Sequence, residues 1–334
     1  METVKSKTGV RRKKNKGGIF CSKNKTLSGN ETKGIKLFFK NIQLTLLALP
    51  GVAWLLIFSY IPMFGLILAF KKFNYQIGIF GSPWIGLENF KMLFASSDAF
   101  NVIRNTVLYN ITFIIVGTFL SIIVAIMLET ITKKVFIKAY QTVLLLPHFI
   151  SWVVVGFATI GLFTFENGFI NTLIKTLGGE GVMWYSEPKM WPGIILIAYL
   201  WKQLGYNTLL YYGSILGIDT SLYEAAKVDG ANKIQQIIHI TIPMLRPTIC
   251  VLLIVSIGGM MKGDFGLFYY IPNNTGALYA ATDVLDTYIY RMMSVVGDIG
   301  ISSAISLFQS VVGFILVLCA NAVIRKIDND SAMF

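Results

Sequence analysis

The chain is poor in charge. Only 14% of its 334 residues are Asp, Glu, Lys or Arg, where soluble domains carry about 25%, so a large water-facing surface is excluded. It has two histidines, His148 and His239, and three cysteines, Cys21, Cys250 and Cys319. Isolated histidines make no metal site, and cysteines this sparse make neither a disulfide framework nor a metal cluster. No Gly-x-x-x-x-Gly-Lys-Ser/Thr phosphate loop occurs, so any ATP that drives this protein is hydrolysed on another polypeptide. No Ser/His/Asp set, paired carboxylates or cysteine cluster recommends catalysis, and the chain reads as a non-enzyme. There is no internal repeat and no low-complexity linker. A cleavable signal is not expected either, because both the basic stretch and the apolar run after it are too long for one.

What the chain has instead is apolar length. Some 54% of residues are apolar and the mean hydropathy is +0.64. A membrane-crossing helix needs about 20 such residues. Six segments qualify, at 44–70, 106–130, 140–165, 191–217, 246–271 and 301–325. The expected fold class is therefore an all-α integral membrane protein with six transmembrane helices. Pro50 and Pro62 predict a kink in the first, tolerated where neighbours or water satisfy the freed carbonyls.

The net charge of +12 is unevenly spread. Residues 1–42 hold twelve Lys or Arg against Glu2 and Glu31. A basic tail ahead of a first span is the positive-inside pattern of a cytoplasmic N-terminus, and it argues against nucleic acid as a partner. The Arg11–Lys16 stretch suits anionic membrane lipids. With the N-terminus inside, the inner side, counting Arg246 and Arg325 at span ends, holds 20 Lys or Arg and the outer side 8. Six spans return the C-terminus inside as well. The expected organisation is a basic cytoplasmic tail at 1–43, a transmembrane domain at 44–325 and a cytoplasmic tail at 326–334. On the outer side, Trp84 to Phe94 reads as an amphipathic surface helix.

That count leaves one inner loop, 218–245, between the fourth and fifth spans. It carries EAAKVDGANKIQQIIHITIP from Glu224 to Pro243. A first helix of two to three turns around Leu222–Ala226 is expected, capped by Thr220 or Ser221. Ala225 and Ala226 allow close approach of a partner, and Glu224 offers a carboxylate near a helix start. Gly230 supplies the left-handed residue that ends the helix. A second helix over 232–240 is expected to return to the membrane, its apolar face formed by Ile234, Ile237, Ile238 and Thr241, with Pro243 and Pro247 marking re-entry.

The spacing Glu-Ala-Ala, three residues, Gly, nine residues, Ile, one residue, Ile-Pro closely resembles the EAA loop of bacterial ABC-importer permeases. The family has Leu-Pro where this chain has Ile242-Pro243. The stretches YEAAKVDGA, WKQLGYN at Trp201–Asn207, VLDTYIYR at Val284–Arg291, and GLENF followed by Asn105-Thr106 carry the resemblance further. It covers most of 44–325 and is to the MalF/MalG-type carbohydrate branch, nearest its complex-oligosaccharide permeases. The resemblance implies a permease subunit in the bacterial plasma membrane, with alternating access driven from outside the chain. It implies that Glu224, Ala225, Ala226, Asp229, Gly230, Ile240 and Pro243 form a coupling helix and turn that dock on an ATPase. Its implied partners are a second homologous permease, two ABC ATPase subunits holding ATP and Mg, an extracellular solute-binding lipoprotein and a carbohydrate, with no cofactor on this chain.

Charges inside a membrane are costly and face a bundle interior or a wet path. Sugars are bound by aromatic faces with amide, carboxylate and hydroxyl groups. Lys202, Gln203 and Asn207 in the fourth span, and Asp264, Phe265 and Phe268 at the outer end of the fifth, are the candidate path residues. Three other readings stay open: the same machinery carrying a glycerol-phosphate ester, a membrane enzyme acting on lipid or polysaccharide, and a self-sufficient secondary transporter. The last two leave the 224–243 spacing unexplained.

Overall fold

The computed structural model describes residues 42–327. The basic tail with Arg11–Lys16, and the C-terminal tail beyond Ile327, lie outside the described residues. Among these the chain is helical, with one isolated β-bridge, Lys71 to Trp84. It divides into two compact units, met at Ile61 and Pro62.

The first unit contains α1, Ile42–Leu55, with Pro50 inside it. A π-turn, Leu56–Tyr60, follows. Its side chains are apolar and exposed, Leu47 and Phe58 among them, as befits a helix whose solvent is hydrocarbon.

The second unit opens with a tightened 3-10 turn, Phe64–Phe70. Asn89 fixes its end, donating from Nδ2 to the carbonyls of Ala69 at 2.9 Å and Lys71 at 3.2 Å. Asn89 lies in α2, Glu88–Ala95, which begins four residues later than the amphipathic pattern suggests. Trp84 and Ile85 are instead held as extended backbone by Lys71 and Phe70.

The long helix α3, Ser97–Glu129, is the mast of this unit. Ser96 caps it, accepting from the Asp98 N–H at 3.2 Å. Its 33 residues would run for about 50 Å at the helical rise. One face, Ile111, Ile115, Phe119, Ile123 and Met127, is exposed and apolar at four-residue spacing. The opposite face enters three core clusters in turn: Ala99 and Val102 with Met261 and Ile305, Tyr109 and Phe113 with Trp191 and Phe268, and Ala125 and Leu128 with Tyr211 and Leu245. In hydrocarbon such faces gain little from leaving lipid, so close packing and internal hydrogen bonds hold the helices together. Asn105 and Thr106 supply two of those bonds. Asn105 Nδ2 donates to the Asp283 carbonyl at 3.1 Å, and Thr106 Oγ1 accepts from the Leu285 N–H at 2.9 Å.

The expected third span is two helices. They are α4, Lys134–Phe149, and α5, Trp152–Phe163, bent by 90°. Pro147 sits in the last turn of α4, and Ser151 caps α5 by accepting from the Val154 N–H. A short outer helix α6, Phe169–Thr176, follows. The expected fourth span is α7, Trp191–Leu216. It is long enough to cross, but Lys202, Gln203, Asn207 and its tyrosines keep it less apolar than the others. Among the described residues four helical stretches are long and apolar enough to cross a membrane, Thr45–Phe70, Ser97–Glu129, Lys233–Gly258 and Ile299–Lys326, and the bent pair makes five if it counts as one span. The last belongs to α12, Ile299–Ile327.

Candidate functional site

The expected docking loop is ordered by its own caps. Its first helix is α8, Thr220–Val228, and Asp219 caps it, not Thr220 or Ser221. The carboxylate is the stronger acceptor, and it takes the Ser221 N–H at 2.9 Å. That bond, aided by the Ser221 hydroxyl, holds the Asp219 carboxyl below its usual range. At the other end Gly230 has φ +82°. The Gly230 N–H reaches the Lys227 carbonyl at 3.1 Å and the Ala231 N–H reaches the Ala226 carbonyl at 2.9 Å. This paired closure satisfies carbonyls a helix end leaves free, and it needs a left-handed residue where Gly230 stands.

The next helix does not stop at Ile240. Asn232 and Gln235 form a reciprocal capping box, and α9 then runs from Lys233 to Gly258 as one helix through Pro243 and Pro247. A π-turn, Ile237–Thr241, precedes Pro243. Proline brings no N–H to the ladder, and the widened turn absorbs the mismatch that would otherwise break the helix. Tyr223 and Thr241 join α8 to α9 through hydroxyls 2.9 Å apart. The Gln236 amide donates to the Ala231 carbonyl at 3.0 Å. Ala226, Asp229, Gly230 and Ile240, with Gln235 and His239, surround a cavity of about 330 Å³. Glu224 and Ala225 are exposed on α8, and Pro243 is exposed further along α9. Val228 is 88% exposed and Ile234 67%, beside Leu222 and Ile238. A loop closed so tightly within itself leaves apolar side chains outward, which is the composition of an interface core awaiting a partner.

The second group of residues lies where spans are interrupted. α9 ends at Gly258, and α10, Phe265–Tyr270, restarts after a six-residue break. The expectation of an unbroken helix to 271 is corrected there: Gly258, Gly259 and Gly263 cannot hold a helix against the tertiary bonds on offer. Asp286 on α11, Leu285–Arg291, accepts the Gly263 N–H. Gln309 on α12 donates to the Met261 carbonyl at 2.9 Å and to Asp286 at 3.1 Å. Burial pushes the Asp286 carboxyl up from its usual range, against these donors. Asp286 and Gln309 are functional candidates that sequence reasoning missed. The only signal is an amide and an acid within otherwise apolar surroundings.

Lys202 and Asp264 are brought together by a residue that was not expected, Trp152. Its indole N–H donates to Asp264 Oδ2 at 2.7 Å. The Lys202 ammonium stands 4.6 Å from the ring centroid and donates to the Ile150 carbonyl. An indole has a negative face and a positive edge, so it accepts the cation on one and the anion at the other. Lys202 is only 7% exposed, and opposite charges bracketing one ring lower the cost of keeping both away from water. Asp264 Oδ1 also caps α10, accepting from the Leu267 N–H at 3.3 Å. Gly266 lets α10 lie flush on Trp152: a Cβ there would fall 2.8 Å from Trp152 Cγ.

The remaining path candidates divide. Phe265 joins Tyr269 at 4.9 Å and Tyr290 at 5.1 Å in a partly exposed aromatic group. Phe268 is buried, packed edge-on to Tyr109 at 4.8 Å in the core. Gln203 and Asn207 are four residues apart on α7, half-buried, and free of side-chain hydrogen bonds among the described residues. The helix break at 259–264, the opposite charges on the Trp152 ring and the Phe265 aromatic group thus adjoin one another, while Gln203 and Asn207 share α7 with Lys202.

Known proteins share this architecture. Residues 117–329 match the family described as binding-protein-dependent transport system inner membrane component. Protein LplB of Bacillus subtilis is 36% identical over 287 residues, 86% of this chain and 90% of that one. The polygalacturonan/rhamnogalacturonan transport system permease protein YteP, also of Bacillus subtilis, is 34% identical over 298 residues, covering 88% and 92%. A crystal structure of a bacterial ABC transporter involved in import of the acidic polysaccharide alginate superposes with a TM-score of 0.81 at 32% identity, over 89% of this chain and 99% of that one.

Proposed function

The chain belongs to the binding-protein-dependent transport system inner membrane components, and from that we propose that it forms half of the gated path of a bacterial oligosaccharide importer. It is a permease subunit of an ABC transporter in the bacterial inner membrane, not an enzyme, and ATP is hydrolysed on separate subunits. The finer reading is six spans with both termini inside, α7 being the crossing that its polar residues disguise. Two ATPases, a second permease and a solute-binding lipoprotein complete the machine.

The observation that carries this reading is the 218–245 loop. Its backbone is satisfied internally while Leu222, Val228, Ile234 and Ile238 face outward beside Glu224. Seated in a cleft of an ATPase, α8 would move when nucleotide closes the ATPase pair. Because α9 is continuous to Gly258, that motion reaches the interruption at 259–264 and the Lys202–Trp152–Asp264 group. Nucleotide then biases one of two arrangements of the path through this loop, which is what coupling requires. In the path, Gln203, Asn207, Asp264 and Phe265 would meet sugar hydroxyls and ring faces, Lys202 would hold the charge balance, and Phe268 would back them.

The relatives support a choice of cargo to try. YteP is a polygalacturonan/rhamnogalacturonan permease, and the alginate importer handles an acidic polysaccharide. Uronate-bearing oligosaccharides are therefore the first cargo to try. The test is ATP-dependent uptake into proteoliposomes of the full complex with its binding protein, offered oligogalacturonate, an alginate oligosaccharide, maltopentaose and glycerol 3-phosphate. Uptake of an oligosaccharide is expected. Uptake of glycerol 3-phosphate alone would overturn the cargo, and ATP-independent uptake would overturn the mechanism.

A further inference from the structure

A second apolar recess belongs to neither the loop nor the path. Between the end of α3 and the first half of α4 lies a groove of about 600 Å³, lined by Met127, Leu128, Ile131, Phe136, Tyr140 and Val143 among others. Beside it Lys133, Lys134 and Lys138 are exposed, Lys134 and Lys138 on the far side of α4 from the lining, and among the described residues none of the three is in a salt bridge. Lys133 Nζ lies 5.8 Å from the ring of Phe136, itself part of the lining. The 16-residue helix α4 starts here with no side-chain cap, so its first N–H groups point outward unclaimed by a side chain. The one acid in this turn is Glu129, exposed at the end of α3.

The groove opens at the same end of the fold as the 218–245 loop. Leu128, Ile131, Ile137 and Leu144 share a core cluster with Ile215 and Leu245, the residues flanking that loop. An apolar trough with a cationic mouth and an uncapped helix start fits an amphiphile with an anionic end. We propose that it holds an anionic phospholipid of the inner leaflet, phosphate at Lys133 and the start of α4 with Lys134 and Lys138 adding to the positive field, one acyl chain along Met127, Phe136 and Val143. The proposal rests on the reading that loop 218–245 is cytoplasmic.

Physics assigns the selectivity to the lysines. An acyl chain entering the groove leaves one apolar medium for another, so the lining by itself does not distinguish headgroups. Each Lys near an anionic headgroup favours it by roughly fivefold. The second permease is the competing occupant, but its contact would leave three lysines at a protein seam with only Glu129 of this turn to meet them.

The test uses the full importer complex in detergent, exposed to phosphatidylglycerol or phosphatidylcholine of identical chains, with bound lipid counted by native mass spectrometry. Phosphatidylglycerol is expected to be preferred by roughly tenfold or more. The variant K133Q/K134Q/K138Q should lose that preference and keep phosphatidylcholine binding unchanged. Val143→Trp, filling the trough, should reduce both. An unchanged ratio in the triple variant overturns the proposal. So does displacement of the lipid by inorganic phosphate, which would mean an anion site without a tail. Efficient cross-linking of Val143→Cys to the second permease would assign the groove to a subunit contact instead. If the complex assembles and hydrolyses ATP but shows no headgroup preference, the lipid reading fails alone. If ATPase subunits do not bind the wild-type chain, the transport reading fails with it.

Discussion

At the scale of single residues, Trp152 decides most. Its indole meets Lys202 on one side and Asp264 on the other, so Trp152→Phe separates the two roles. The ring is kept for the cation, and the donor to the carboxylate is lost. Asp264 is half-buried, so losing this donor costs toward the lower end of the about 1–3 kcal/mol of a fully buried acceptor, and the variant should unfold earlier in detergent and import more slowly. Asp264→Asn should restore part of the stability lost in Trp152→Phe, because it removes the stranded charge; additive losses in the double variant would show that the two residues act separately. Lys202 and Asp264 stand out in the sequence because charge is expensive in hydrocarbon. Trp152 does not, because a tryptophan at the start of an apolar run has the ordinary meaning of an interfacial anchor. Its partners are 50 and 112 positions away, and no local pattern reaches that far.

Among the elements, the α8 turn gives the sharpest expectations. Gly230 at φ +82° would force any side chain into the left-handed region at about 1–2 kcal/mol. Gly230→Ala should thus loosen the turn, seen as faster amide exchange over α8 with the spans unchanged. The Asp219 cap carries a pH dependence. Its folded carboxyl is held low by the Ser221 N–H, so the cap's contribution is present above the unfolded carboxylate value of about 3.9. It is lost as pH falls through the lower, folded value. Amide protection of α8 should weaken in that acid window, and Asp219→Asn, a good cap without titration, should make it flat; a residual step would trace the loss to another group. The helices' existence is legible from apolar length, but their interruptions are not. A two-residue break at Ile150 and Ser151 leaves the hydropathy of 140–165 unchanged. Pro243 and Pro247 suggest an end to α9 that the π-turn at Ile237–Thr241 removes.

For the whole molecule, the expectation is loss of coupling without loss of the protein. Glu224→Lys reverses the one carboxylate on the outward side of α8 and leaves every intramolecular bond of the loop in place. The variant should insert normally, while uptake falls and ATP hydrolysis no longer responds to the loaded binding protein. Normal uptake would remove Glu224 from the docking surface. The spacing from Glu224 to Pro243 is legible because the proposed docking element is made of consecutive residues. The proposed path would be assembled from α5, α7, α10, α11 and α12, so only its costliest members show in advance. A widened turn in a helix can creep along the ladder, and each residue it passes is re-aimed by about 100° while the rest of the helix keeps its facing. Pro243, having no N–H to hand on, stops that creep directly downstream of Thr241. The helix from Lys233 to Gly258 is therefore indexed: in the proposed mechanism it would carry a stroke from the loop with its side chains kept on fixed faces.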